Sequence, residues 1–235
     1  LKKIDVCLSP ELFHLHDAQG KIVVIVDILR ATTCMVTAFQ VGVKSVIPVA
    51  TVEECLDYQK KQNWITAGER NGEKIPEFDM GNSPYDYLHQ DLTDKTVVIT
   101  TTNGTKAINQ AKEAAQIIIG AFLNVTAVAQ YLLAQHQDVI ILCSGWKGKV
   151  NLEDTLFAGA LMTQIQPHFI PESDVPLMTA TLFQAMKHDL VGFIQKASHG
   201  ERLTKLSHAD DTAYCCQIDT TQVVPILKEK ALVIL

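Results

Sequence analysis

The chain has 235 residues, 47% of them hydrophobic, which suits one globular domain with a sizeable core. Its net charge is −6, its Lys and Arg form no cluster, and only 6% of residues are aromatic, so nucleic acid is excluded as an expected partner. No apolar run approaches the roughly 18–20 residues that cross a bilayer, and no basic leader with an apolar stretch opens the sequence, so a cytoplasmic protein is expected.

In chain order, short apolar runs rich in β-branched residues alternate with amphipathic stretches. Strands are predicted over residues 22–26, 45–49, 96–99, 117–119 and 139–142, and helices over 32–40, 52–62, 106–115, 125–135 and 153–164. This rhythm predicts a layered α/β/α fold with a mostly parallel or mixed sheet, and ligands in such folds gather at the carboxyl ends of the strands. Residues 68–88 break the rhythm and read as a long polar loop, with Ser83 capping a helix that Pro84 opens. Beyond Pro171 the pattern is helical over 175–196, with a short turn after Ser198 and closing strands over 223–227 and 231–235. Pro225 predicts an edge position for the first of these. One domain over 1–235 is expected, or two lobes with a boundary near 166–175. The six cysteines, Cys7, Cys34, Cys55, Cys143, Cys215 and Cys216, show no C-x-x-C spacing and read as reduced, buried thiols.

Three polar clusters fall at predicted strand ends. Thr100, Thr101, Thr102, Asn103, Gly104 and Thr105 bring hydroxyls and helix-start N–H groups to one point, an anion cradle by composition. It lacks the lysine and spacing of a P-loop. Asp27 ends the first apolar strand, with Arg30 and Thr32 just after it. A carboxylate there can ligate Mg²⁺, act as a base or attack phosphorus, and it can equally be a turn residue. Leu29 stands where the haloacid-dehalogenase phosphatases carry their second aspartate. Ser144, Gly145 and Lys147 follow another strand, and Glu153 and Asp154 begin the next helix, where the helix dipole alone could explain them. Glu69, Arg70, Asp79 and Asn82 lie in the long polar segment and could supply a metal carboxylate and an anion clamp. Of eight histidines, none has zinc-site spacing, and only His199 sits in a suggestive context.

Taken in order, the motifs Asp27-Ile-Leu-Arg-Ala-Thr-Thr, Gly68-Glu-Arg-Asn-Gly, Phe78-Asp-Met-Gly-Asn-Ser-Pro, Thr100-Thr-Thr-Asn-Gly-Thr, Asn124, Ser144-Gly145 and Glu153-Asp154-Thr155 resemble the ComB family of 2-phosphosulfolactate phosphatases. The match runs from about Ile4 to Gly159, with a weaker echo at Ser198-His199-Gly200. One departure is Glu77, where the family usually has glycine before Phe78-Asp79. The resemblance implies a Mg²⁺-dependent phosphatase that converts 2-phospho-3-sulfolactate to sulfolactate and phosphate, a step of coenzyme M synthesis in methanogens. Placed on this chain, the catalytic candidates are Asp27, Arg30, Glu69 and Asp79, and the metal candidates Asp27, Asp79, Glu153 and Asp154. Arg30, Thr32, Arg70, Asn82, Thr101, Thr102, Asn103, Gly104, Thr105, Ser144, Gly145 and Lys147 are expected to bind the substrate. A phosphatase for another small anionic ester and a non-catalytic anion-binding protein stay open as alternatives. Base rates for enzymes favour a homodimer.

Overall fold

The structure, a computed structural model, describes residues 1–234, so the last residue of the predicted strand 231–235 lies outside the described residues. Its framework is a mixed sheet flanked by helices, the α/β/α layering expected from the alternating pattern. The strands are β1 Lys2–Cys7, β2 Ile22–Val26, β3 Ser45–Pro48, β4 Trp64–Arg70, β5 Glu73–Lys74, β6 Thr96–Thr100, β7 Gln116–Gly120, β8 Val139–Cys143, β9 Phe169–Pro171, β10 Ile226–Lys228 and β11 Ala231–Val233. They pair in the order β5-β4-β6-β3-β11-β10-β7-β2-β8-β1-β9. The helices are α1 Ala31–Gln40, α2 Val52–Tyr58, α3 Pro84–Leu88, α4 Gly104–Gln110, α5 Val125–Ala134, α6 Leu152–Ile165, α7 Val175–Met186, α8 Leu190–Gln195, α9 Ser198–Lys205 and α10 Ala209–Cys215.

Every residue of β2 and β8 is buried, as continuous apolar strands require when helices cover both faces. Strands β4, β6 and β3 form one parallel set, and β7, β2, β8, β1 and β9 another. The C-terminal hairpin β10–β11 joins them, pairing antiparallel with β7 through Ile226 and Ile118 and with β3 through Leu232 and Val46. The two sets therefore run in opposite senses, and their carboxyl ends come together. Gly104, just beyond β6, is so close to Asp27, just beyond β2, that an added Cβ would lie 3.0 Å from Asp27 Oδ2. Among the described residues no helix is long and apolar enough to cross a membrane.

Several elements depart from expectation. Residues 68–88 are not one loop: β4 reaches Arg70 and β5 folds back on it through Glu69–Lys74 and Arg70–Glu73. The end of β4, Gly-Glu-Arg, lacks the apolar side chains that mark a strand, and is held by pairing instead, Gly68 parallel to Thr100 of β6 and Glu69 and Arg70 antiparallel to β5. Strands β1 and β9 were not predicted; in β1 the charges of Lys2, Lys3 and Asp5 hide the apolar residues between them, and β9 is only three residues long. The predicted helix 175–196 is two helices, broken where the Asp189 side chain accepts from Gly192 N and caps α8. Instead of a short turn after Ser198 there are two helices, α9 and α10. The predicted helix over 52–62 ends at Tyr58, and that over 106–115 runs from Gly104 to Gln110. Strand β10 lies inside the sheet rather than at its edge. Pro225 precedes the strand, and its carbonyl accepts from Ile119 N, a bond that needs no proline N–H.

Candidate active site

Asp27 is buried at the end of β2. Its backbone carbonyl accepts from Thr32 N at 2.9 Å, its N–H donates to Thr32 Oγ1 at 2.9 Å, and its Oδ1 accepts from Ala31 N at 3.3 Å. Thr32 thus fixes the turn that aims the carboxylate, and does not itself line the cleft. Burial pushes the Asp27 carboxyl up to about 6; His199 and the Ala31 N–H oppose this, while Glu69 and Glu153 add to it. Four acidic side chains therefore share one neighbourhood: Asp27, Glu69, Glu153 and Asp154.

Each of the other three is held differently. Glu69, at the end of β4, accepts at Oε1 from the N–H and the hydroxyl of Thr102, both at 2.7 Å, and at Oε2 from Gly72 N at 2.7 Å. Asp154 accepts from Ile28 N at 2.8 Å, Gly145 N at 3.1 Å and Asn151 Nδ2 at 2.9 Å. It ties the loops after β2 and β8 together, and burial, with Asp27 and Glu153 nearby, holds its carboxyl well above the usual range. Glu153 is fully buried; its Oε1 lies 2.7 Å from His199 Nδ1 and 3.0 Å from Asn151 Nδ2, whereas its Oε2 has no partner.

The expected residues sort into three groups. Asp27, Arg30, Glu69, Asn82, Thr101, Thr102, Asn103 and Lys147 line one cleft that opens to solvent. Thr32, Gly104, Thr105, Ser144, Gly145, Glu153 and Asp154 stand behind it. Thr105 closes the turn, donating from Oγ1 to Thr101 O at 2.9 Å, and Gly104 admits the close approach of Asp27. Gly145 takes a positive φ of 59°, and a Cβ there would lie 2.4 Å from Lys149 O, so only glycine fits this turn. Arg70 and Asp79 are not brought to the cleft. Arg70 donates to Glu69 O at 2.8 Å and Thr100 Oγ1 at 3.0 Å; exposed Asp79 accepts from Thr66 N and Oγ1, both at 2.8 Å, and braces β4.

The threonine cluster is not an open cradle. Thr102 directs both its donors at Glu69, and Thr101 and Thr105 satisfy each other. Arg30 is likewise engaged, in an ion pair with buried Asp211 of α10 and a 2.8 Å bond to Gly72 O. Asp211 also accepts from Ser83 Oγ at 2.7 Å, so α10 joins the loops carrying Arg30, Gly72 and Ser83.

The sequence reading missed Trp146, Arg202 and Asp211, and gave His199 only a suggestive context. Helix α9 turns His199, Arg202 and Leu203 toward the cleft, the i, i+3, i+4 spacing of one helix face. That spacing is visible in the sequence once a helix is drawn there.

Among the described residues no three His, Cys, Asp or Glu side chains form a ready cage for a metal ion. Mg²⁺ needs none, because it keeps waters and binds through one or two carboxylates together with phosphate oxygens. The unpartnered Oε2 of Glu153 and the cleft-facing carboxylate of Asp27 fit that requirement, whereas both oxygens of Asp154 already accept N–H donors.

A layered α/β fold with a carboxylate-rich floor at converging strand ends, opening on a cleft edged by cations, defines a class of protein that handles small anions. The chain belongs to the 2-phosphosulpholactate phosphatase family, whose model matches residues 7–230, and this places it among phosphoric monoester hydrolases. It is 39% identical over 225 residues to a probable 2-phosphosulfolactate phosphatase of Clostridium novyi, covering 95% of this chain and 96% of the relative. A probable 2-phosphosulfolactate phosphatase of Caldanaerobacter subterraneus subsp. tengcongensis is 37% identical over 217 residues (91% and 90%). One of Thermotoga maritima is 34% identical over 224 residues (95% of each chain).

Proposed function

We propose that this protein hydrolyses 2-phospho-3-sulfolactate to 3-sulfolactate and inorganic phosphate, with Mg²⁺ as cofactor. The observation that carries the reading is the placement of Asp27, buried beside Glu69, Glu153 and Asp154 yet facing the cleft, in a chain of this phosphatase family. Asp27 and Glu153 are the side chains that would hold Mg²⁺, which when bound supplies charge to offset the phosphoryl oxygens. The chain's own residues then do the rest. Thr32 and the Ala31 N–H fix the Asp27 carboxylate, and Glu69 pins the Thr102 loop against the Gly72 loop so that both walls keep their spacing. Asn82 presents a buried Oδ1 without a partner, an acceptor suited to a bound water or to the hydroxyl of the product.

Asp27 is the central catalytic carboxylate. Retention of configuration at phosphorus, read with an isotopically chiral phosphate ester, marks two displacements and Asp27 as the group that attacks phosphorus, and inversion marks a single displacement with Asp27 as the group that orients water. A panel of phosphoesters tests the substrate: phosphosulfolactate should be turned over with a higher kcat/KM than phosphoglycolate or other carboxylate analogues, and the reverse order would assign a different ester. Six free, buried cysteines suit a reducing cytoplasm, and light scattering tests the homodimer.

A further inference from the structure

Of the cationic side chains expected to bind the substrate, Arg30 is paired with Asp211 and Arg70 lies away from the cleft. That leaves Lys147 and Arg202 on the cleft wall. Among the described residues neither has a carboxylate partner, in a protein with a net charge of −6. Both sit on the same indole: Lys147 Nζ is 5.2 Å and the Arg202 guanidinium carbon 5.6 Å from the centre of the Trp146 ring. Trp146 is itself fixed, stacked on His199 with ring centres 5.3 Å apart and planes 6° from parallel. The turn that carries Trp146 and Lys147 is closed by reciprocal bonds between Trp146 and Lys149 of 2.9 and 3.0 Å, and Ser9 Oγ donates to Gly148 O at 2.9 Å. Arg202 commits one N–H to Asn71 O, which leaves the rest of its fork for an oxyanion.

We propose that Lys147 and Arg202, organised on Trp146, bind the sulfonate of the substrate, one of the two anionic groups that are not transferred. The inference rests on the phosphatase reading and narrows it to phosphomonoesters that carry a further strong anion, with a sulfonate preferred. Three sulfonate oxygens can accept from an ammonium and a guanidinium together, while the two oxygens of a carboxylate are filled by the Arg202 fork alone. The carboxylates of the floor repel an unpaired anion, so the rim is where the sulfonate gains most.

The test is equilibrium titration of the Mg²⁺-supplied protein with 3-sulfolactate and, separately, with inorganic phosphate, on wild type, Arg202→Gln, Arg202→Lys and Lys147→Gln. Each glutamine variant should weaken 3-sulfolactate about ten-fold to a hundred-fold, and phosphate at least several-fold less, with Arg202→Lys in between. In turnover the same variants should raise KM for phosphosulfolactate far more than KM for p-nitrophenyl phosphate, which lacks both the sulfonate and the carboxylate. Equal losses for 3-sulfolactate and phosphate, unchanged 3-sulfolactate affinity in the variants, or no binding of 3-sulfolactate by wild type would overturn the assignment. If Arg202→Gln does not fold, exposed Lys147 decides the matter alone. Wild type that binds 3-sulfolactate in the predicted pattern but releases no phosphate from phosphosulfolactate would sink the phosphatase reading and leave this subsite standing.

Discussion

Asp27 combines two properties that usually exclude each other: it is buried, and it faces the cleft proposed to hold the substrate. Its carboxyl is pushed from the ordinary 3.8 to about 6, first by burial. Because the folded value is the higher one, the unfolded chain binds fewer protons between the two values, and stability falls as pH rises through that window. Asp27→Asn removes the ionisable group. In metal-free protein the variant should therefore melt at a higher temperature than wild type at pH 8, and the difference should shrink as pH falls through 6 and vanish near 4. Thermal melts in EDTA across that range check it; a gap that widens toward acid would show that Asp27 is stabilised as the anion. Asp27 was legible as a candidate because a lone carboxylate at the end of an apolar strand is conspicuous. Its partners were not: Glu69 and Glu153 lie 42 and 126 positions further on, and only the fold brings them near.

At the scale of elements, the turn after β8 and helix α9 form one wall of the cleft. Gly145 holds this turn in a conformation with φ of 59° and no room for a side chain. Gly145→Ala should cost about 1–3 kcal/mol of stability in urea unfolding. It should also raise KM for phosphosulfolactate, because the same strain displaces Trp146 and Lys147. An unchanged KM in a folded variant would separate the turn from the ligand. This wall also shows where sequence reading fails. Hydroxyls at a strand end read as an anion cradle, yet Thr102 holds Glu69 and Thr105 closes its own turn, so polar composition alone does not distinguish a site from its scaffold. Arg202 escaped because 198–205 is polar overall and carries few apolar residues, so its one-sided pattern is written in charged and polar side chains rather than in an apolar stripe.

At the scale of the whole molecule, the hairpin β10–β11 bridges two parallel sets of opposite sense. Leu232 is fully buried there. Leu232→Ala should lower stability by about 2–5 kcal/mol while the protein still unfolds in a single transition. Two resolved transitions would mean that the sets fold independently. The strands of continuous apolar sequence, β2, β7 and β8, were legible because burial on both faces writes itself into composition. The place of the hairpin was not, since three-residue strands around Pro225 carry no periodicity and their pairing partners lie over a hundred residues away. What the whole arrangement accomplishes is to set one carboxylate-rich floor at the meeting of two sets of strand ends. Phosphate release from phosphosulfolactate, measured with Mg²⁺ and with EDTA on wild type and Asp27→Asn, tests that claim most directly. The account predicts release that requires the metal and falls on the order of 10³-fold in the variant; release that is indifferent to EDTA, or that survives the substitution in full, would contradict it.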